Sequence, residues 1–407
     1  MKNIEAINCP ICKSSNVENI LNLNCGKFDG STLYQNAVVN SCGDCGHIYN
    51  ALNAEEVTGL NEYYNDEYAP INMSATYKNG SIPGADGHDA SERYSKLFHF
   101  ISPYINSGSK LLDVGCAMGG FLDYLNDKGV IHLSGIDLTK DFIDHASQKG
   151  KYNIKLGNAE SIPFEDGSFD LLVVNQVIEH LAAPGNVFRE AKRVLINGGI
   201  LYLGVPDALR YEDMCSFDFY WLLIRDHIQH FDIEHLNLLA AIDGFELLDF
   251  SINDNLALST ELALPNLNVI FRSTGKKSRL NITGDCFSLK DKLKKYIINN
   301  FEKLNKKKKL IDDLIASQNP LYAWGIGSEF LYLYENTGLK NCNIAGLIDI
   351  NPYKQANLTV EGLSLAAPHI LTNADSSSKL LITAIAYKES IKKTLESINY
   401  KGQIIDL

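Results

Sequence analysis

Between Lys110 and about Ser273, short apolar runs alternate with stretches of helical periodicity, and this constrains the fold more than any other feature of the chain. Strands buried on both faces read as unbroken apolar runs. Joining them in parallel requires a crossover, usually a helix, so the alternation predicts an α/β fold with a helix-covered parallel sheet. The expected strands are Lys110–Val114, His132–Ile136, Ile154–Leu156, Leu171–Asn175, Gly199–Val205, Glu246–Ile252 and Asn268–Arg272. A second alternation starts at Leu321, with strands expected at Leu321–Trp324 and Ile344–Asp349, and predicts a smaller C-terminal α/β domain.

At ~150 residues per domain, a chain of 407 residues exceeds a single core. The composition shifts divide it at 1–54, 55–109, 110–275, 276–317 and 318–407. The first segment has too little apolar material for a core of its own. The second carries Tyr63, Tyr64, Tyr68, Tyr77, Tyr94 and Tyr104 and reads as a loop-rich connector ending in a docking helix from Ser91 to Tyr104. The fourth, with Lys290, Lys292, Lys294, Lys295 and the run Lys306–Lys309, reads as a solvated basic helix linking domains. A net charge of −12 argues against nucleic acid as a partner, because binding to phosphates draws on a broad basic surface. The N-terminus has no apolar run of signal-peptide length and no stretch of ~20 apolar residues occurs, so a cytoplasmic protein without a membrane span is expected. The sequence leaves the oligomeric state open.

Four of the nine cysteines form two pairs, Cys9-Pro-Ile-Cys12 and Cys42-Gly-Asp-Cys45. Two thiolates on each of two tight knuckles suit a tetrahedral zinc ion that would staple the weak first segment. Four protein thiolates leave no open position, so such a zinc is expected to be structural; Cys25 and His47 are substitute ligands of lower rank.

In Lys110-Leu-Leu-Asp-Val-Gly-Cys-Ala-Met-Gly-Gly-Phe-Leu-Asp-Tyr-Leu125 an apolar strand runs into a turn of small residues and then a helix. Such a turn admits a ligand close to the backbone, while the helix start offers free amides. Alone, the loop is a weak signal and does not exclude a dinucleotide, since Gly115, Ala117 and Gly120 can be forced onto that fingerprint. Asp113 lies two residues before the first glycine, and Asp137 ends the second strand 22 residues beyond Gly115, where a carboxylate can accept ribose hydroxyls. Then follow Gly157-Asn-Ala-Glu160, Asp166-Gly-Ser-Phe-Asp170 and Leu171-Leu-Val-Val-Asn-Gln-Val-Ile-Glu-His-Leu181.

With these motifs in this order, residues from about 92 to 273 resemble the class I S-adenosylmethionine (SAM)-dependent methyltransferases, a Rossmann-like fold. The resemblance implies that Asp113, Gly115, Cys116, Ala117 and Gly119 surround the methionine part of SAM. By the same token Asp137 and Leu138 would meet the ribose, Asn158 and Ala159 the adenine, and Asn175 and Gln176 would line the pocket beyond the fourth strand. Many members have Asp where this chain has Asn158, whose side-chain oxygen also accepts a hydrogen bond.

Methyl transfer aligns a nucleophile with the methyl group and removes its proton, and histidine is the usual base. Arg225-Asp-His-Ile-Gln-His-Phe-Asp-Ile-Glu-His235, after the fifth strand, concentrates three of the ten histidines. Asp226, His227, His230 and His180 are therefore the candidate catalytic residues. A metal held by paired histidines and aspartate is the minor reading of this segment.

The whole arrangement, with zinc knuckles, tyrosine-rich connector, SAM domain, basic helix and second Rossmann-like domain, resembles the sugar-nucleotide C-methyltransferases of deoxysugar biosynthesis. That resemblance implies a keto-sugar nucleotide substrate methylated on carbon through an enolate, with His227 as base, Asp226 its neighbour and His180 a contact. Tyr68 or Tyr77 would touch substrate, and Gly325, Gly327 and Ser328 would reach its diphosphate. The chain reads Asp226-His-Ile-Gln-His-Phe-Asp232 where that family has Glu-His-x-x-Tyr-Phe-Ser. An O-methyltransferase acting on a sugar or metabolite hydroxyl and a non-catalytic scaffold that retains the SAM fold are the competing readings.

Overall fold

The computed structural model describes residues 8–72, 88–148, 150–213, 217–256, 263–277 and 280–406, so the candidate contact Tyr77 lies outside the described residues. Three sheets organise the described chain. β1 (Val17–Asn24), β2 (Asn36–Cys42) and β3 (Ile48–Asn50) form an antiparallel ladder. β4 (Lys110–Val114), β5 (His132–Asp137), β6 (Asn153–Leu156), β7 (Phe169–Asn175) and β8 (Leu195–Pro206) are parallel. The two-residue strand β9 (Gln229–His230) then returns to pair with β3, placing His230 opposite Ile48. β10 (Phe245–Leu256) and β11 (Ala263–Ser273) extend the main sheet in antiparallel fashion, giving the order β10-β11-β8-β7-β4-β5-β6. Every strand expected in this region is present, with ends shifted outward where the ladder continues through polar residues.

The last sheet contains β12 (Leu321–Trp324), β13 (Ile344–Ile348), β14 (Thr359–Val360), β15 (Leu363–Ala366), β16 (Lys379–Ile382) and β17 (Gln403–Asp406). Its order, β14-β15-β13-β12-β16-β17, is parallel except for the β14–β15 pair.

Leu111, Leu112 and Val114 of β4 and Leu171, Leu172, Val173 and Val174 of β7 are buried on both sheet faces, as the apolar runs require. Asp113 interrupts that run with a carboxyl group only 5% exposed. The chain winds from β4 outward to β6 and then back to β7 on the other side of β4. The carboxyl ends of β4 and β7 therefore flank the switch point, where open α/β sheets bind ligands. The turn after β4 holds three residues at positive φ, Gly115 at 80°, Ala117 at 44° and Gly119 at 79°, before the helix Gly120–Asp127 starts. A Cβ on Gly115 would lie 2.5 Å from Val177 Cγ2, so only glycine lets β4 and the loop after β7 approach this closely.

Two expectations about organisation change. The basic segment is not a solvated linker: the helix Ser288–Ser317 buries Leu289, Leu293, Tyr296, Ile297, Leu304, Ile311 and Leu314 in a core shared with Leu21, Val39, Phe330 and Leu333. Its lysines occupy the other faces, where Lys290 and Lys294 pair with Glu18 and Lys307 pairs with Asp218 and Glu329. Residues 8–50, moreover, are not a free-standing unit. β9 completes their sheet, and Cys9, Cys42 and Cys45 belong to the same core as Leu112, Val114 and Leu172 of the main sheet. The expected docking helix spans His88–Ile101 with a 3-10 turn at Ser102–Tyr104, and Leu97 and Ile101 pack against Phe121 and Leu125.

Candidate active site

A cavity of about 800 Å³ opens at the switch point. Asp113, Gly115, Cys116, Ala117, Asp137, Leu138, Asn158, Ala159, Asn175 and Gln176 all line it, so the structure brings together the expected cofactor residues except Gly119. Gly119 caps the following helix through its positive φ and shapes the loop from behind. The Asp137 carboxylate accepts from the Ala117 amide at 2.9 Å and the Thr139 amide at 2.8 Å, tying the second strand end to the glycine turn. Burial raises the pKa of Asp137, while the Thr139 and Ala117 amides pull against that rise. Asp113 is pushed up to about 7 by burial and then by the neighbouring Asp137 charge. Two carboxyls in one low-dielectric corner make it a receptor for a cation. The Asn158 oxygen accepts from the Glu160 amide at 2.8 Å and so fixes the turn that presents Ala159 to the cavity.

The opposite wall carries the candidate chemistry. The tyrosine-rich connector forms a π-helix at Tyr63–Tyr68, an arrangement frequent at functional sites. It aims Tyr64 at the residues after β7 and β8. The Tyr64 hydroxyl donates to Asp226 Oδ2 at 2.9 Å and lies 2.8 Å from His180 Nδ1, which is also 2.9 Å from the Asp226 carbonyl oxygen. A carbonyl only accepts, so Nδ1 carries the His180 proton and Nε2 keeps its lone pair. His227 meets the His180 ring edge-on with centroids 4.7 Å apart. Burial and the nearby His180 hold the His227 pKa down to about 3, so this imidazole is neutral at ordinary pH. Burial pushes the Asp226 pKa up, but the facing His180 and His227 rings and the Tyr64 hydroxyl outweigh it and leave the group below its ordinary value. Tyr68 lines the cavity and packs edge-on against Phe142.

The structure does not bring His230 to this wall. It is 0% exposed, its Nδ1 lies 3.0 Å from the Tyr211 hydroxyl and its Nε2 3.4 Å from Asn50 Oδ1, all within the joint between β3 and β9. His227 lies in the turn before the strand Gln229–His230, whereas His230 lies within it, paired opposite Ile48 and facing away from the cavity. Gly325, Gly327 and Ser328 stand between β12 and the helix Ser328–Asn336 and do not line the cavity. The loop is braced from within: Lys354 Nζ donates to the Ile326 carbonyl at 2.8 Å and to Asp349 Oδ2 at 3.1 Å.

Sequence reasoning missed a chain of amides and a phenol along the wall between β7 and β11. Gln176 Nε2 donates to Asn266 Oδ1 at 2.9 Å, Asn266 Nδ2 to Asn268 Oδ1 at 2.8 Å, and Tyr202 to Asn268 Oδ1 at 2.6 Å and Asn175 Oδ1 at 3.2 Å. Gln176 holds a φ of 56° to make its contact. The signal was present: Asn266 and Asn268, two apart among apolar neighbours, share one face of a strand.

The four paired cysteines also converge. Cys9 and Cys45 sulfurs are 3.6 Å apart and those of Cys12 and Cys42 3.4 Å apart, with no disulfide. Tetrahedral zinc with bonds of ~2.3 Å separates its sulfurs by ~3.8 Å, so the cluster fits with slight expansion. Hydrogen bonds from Cys45 and Cys9 draw the Cys42 thiol below its ordinary pKa, while the bond with Cys42 pushes Cys9 up.

Residues 112–203 match the family model described as a methyltransferase domain. A probable SAM-dependent methyltransferase of Mycolicibacterium smegmatis is 26% identical over 177 residues, 43% of this chain and 63% of that protein. The segment is similar to methyltransferase domains, SAM-dependent ones among them. Malonyl-[acyl-carrier protein] O-methyltransferase of Legionella pneumophila is 32% identical to it over 125 residues, 28% of this chain and 43% of that protein. Ajmaline N-methyltransferase of Rauvolfia serpentina is 30% identical over 100 residues, 23% of this chain and 34% of that protein. The chain thus spans less than two thirds of the length of these curated relatives. Among solved structures, a SAM-dependent methyltransferase of Methanosarcina mazei is 22% identical, covering 44% of this chain and 98% of that one with a TM-score of 0.37. No helix among the described residues is long and apolar enough to cross a membrane.

Proposed function

We propose that this protein transfers the methyl group of SAM to a small molecule bound between the Asp113–Asp137 corner and the Tyr64–His180–Asp226–His227 wall. SAM would supply an electrophilic methyl on a sulfonium. The observation that carries the proposal is that a cation-receptive corner and a proton-accepting cluster share one cavity. Asp113 and Asp137 would face the positive part of the cofactor, with Ala159 and Asn158 at the adenine end. Tyr64 and Asp226 would orient the acceptor, and the imidazole and carboxylate cluster would take its proton as the methyl arrives.

For the acceptor we propose a sugar nucleotide bearing a keto group, methylated on carbon, a class supported by the order of modules along the chain and its resemblance to deoxysugar C-methyltransferases. Zinc bound by Cys9, Cys12, Cys42 and Cys45 would be structural, supported by the sulfur spacing. The test is to incubate the full chain with SAM carrying an isotopically labelled methyl and a panel of nucleotide-linked keto sugars, then read the product by NMR. A labelled methyl on carbon is the expected result. A methoxy signal would replace carbon by oxygen as the acceptor, and no SAM binding at all would overturn the enzyme reading in favour of a scaffold.

A further inference from the structure

Beneath the catalytic wall sits a carboxylate that nothing described so far uses. Glu179 is 1% exposed and neither of its oxygens has a hydrogen-bond partner. An unpartnered buried carboxylate is among the least tolerable groups in a protein interior and takes either a proton or a counter-charge. Its Oε1 lies 3.9 Å from His180 Nε2, the ring nitrogen left with a lone pair because Nδ1 carries the proton. Two electron-rich atoms thus face each other across a gap too wide for a hydrogen bond. His227 Nδ1 is likewise buried without a partner. One ligand atom from each of Glu179, His180 and His227 lies within 4.8 Å of the others.

We propose that Glu179, His180 and His227 bind a divalent transition-metal ion in the wall of the cavity. Two imidazoles and one carboxylate are a donor set of intermediate hardness suited to Mn²⁺, Fe²⁺ or Zn²⁺, and three protein ligands leave positions open toward the cavity. The Asp226 carbonyl acts as the outer partner that fixes the His180 tautomer, as backbone carbonyls do for metal-bound histidines. A small contraction of the three side chains brings their donors to bonding distance of one ion. An oxygen of the acceptor could occupy an open position, while the Asp226 carboxylate stays on the other side of His180. This site is separate from the four-cysteine cluster, whose soft thiolates would keep zinc.

The test uses the full, zinc-loaded chain, titrated with Mn²⁺ in the absence of SAM and acceptor and followed by the loss of the free-ion EPR signal. One equivalent is expected to bind to the wild type. Glu179→Gln and His227→Gln should each weaken binding ~10-fold to 100-fold or more, and His145→Gln, on an exposed helix position, should not. Circular dichroism melts check that the variants fold; the glutamine at 179 removes a buried charge and should leave the apo-protein at least as stable. If the wild type binds no Mn²⁺, and no zinc beyond that held by the cysteines, the proposal is wrong. It is equally overturned if Glu179→Gln binds as tightly as the wild type. SAM binding, measured separately by calorimetry, reports on the methyltransferase reading by itself, so either idea can fail without the other.

Discussion

Replacing Asp113 by Asn probes the tension in the cofactor corner. Burial and the neighbouring Asp137 charge push the Asp113 carboxyl up to about 7 from its ordinary 3.8. In the unfolded chain it ionises near 3.8, so between roughly pH 4 and 7 the native state holds a proton that the unfolded state has lost. Stability therefore falls as pH rises through this window. About three pH units at ~1.4 kcal/mol each amounts to on the order of 4 kcal/mol lost by neutral pH. Asn cannot ionise, so apo Asp113→Asn should be as stable as the wild type near pH 4 and more stable at pH 8. Cofactor binding should behave in the opposite way. A cation in the corner favours the ionised carboxylate, so affinity of the wild type for SAM should rise toward pH 7 with proton release, while the variant loses ~10-fold to 100-fold and shows no such slope. Urea melts at pH 5 and 8, and calorimetry in two buffers of different ionisation enthalpy, measure both effects. A variant whose pH 8 stability equals that of the wild type, or whose SAM affinity is unchanged, would refute the reasoning.

Tyr64→Phe removes the hydroxyl shared by Asp226 and His180 and should lower kcat ~100-fold or more in steady-state assays, with SAM affinity preserved. His230→Gln should cost ~1–3 kcal/mol in a denaturant melt, since it disturbs bonds to Tyr211 and Asn50, yet leave kcat of the folded protein unchanged. With zinc held by the four cysteines as proposed, a strong chelator should lower the Tm of the domain built on the main sheet in a single transition, restored by added zinc, because the cysteines share its core. Two separate calorimetric transitions would show instead that the first fifty residues melt alone.

The main sheet was legible because its central strands are buried on both faces, so their apolar runs stand out from the surroundings. Asp113 was legible for the same reason, as a lone acid inside such a run. The joint between β3 and β9 was not: two residues at 229–230 pairing with residues 48–49 carry no local pattern, and their partnership is set only by the assembled core. That is also why His230 resembled a catalytic residue beside His227. The lysines of Ser288–Ser317 masked an apolar stripe whose spacing marks a packed face. Tyr64 could not be singled out from Tyr63 and Tyr68, because the π-helix that rotates it toward Asp226 alters the helical phase on which such a choice depends.

The β3–β9 joint bears on how such chains can be recombined. Asp226 and His227 immediately precede the strand Gln229–His230, and His235 just beyond it reaches the Cys45 carbonyl at 3.0 Å. A chimera that grafts a foreign N-terminus onto residues 110–275 would therefore deprive the acceptor wall of the edge that holds it in register. Residues 8–50 and the segment 226–235 form one unit of exchange, although they lie far apart along the chain.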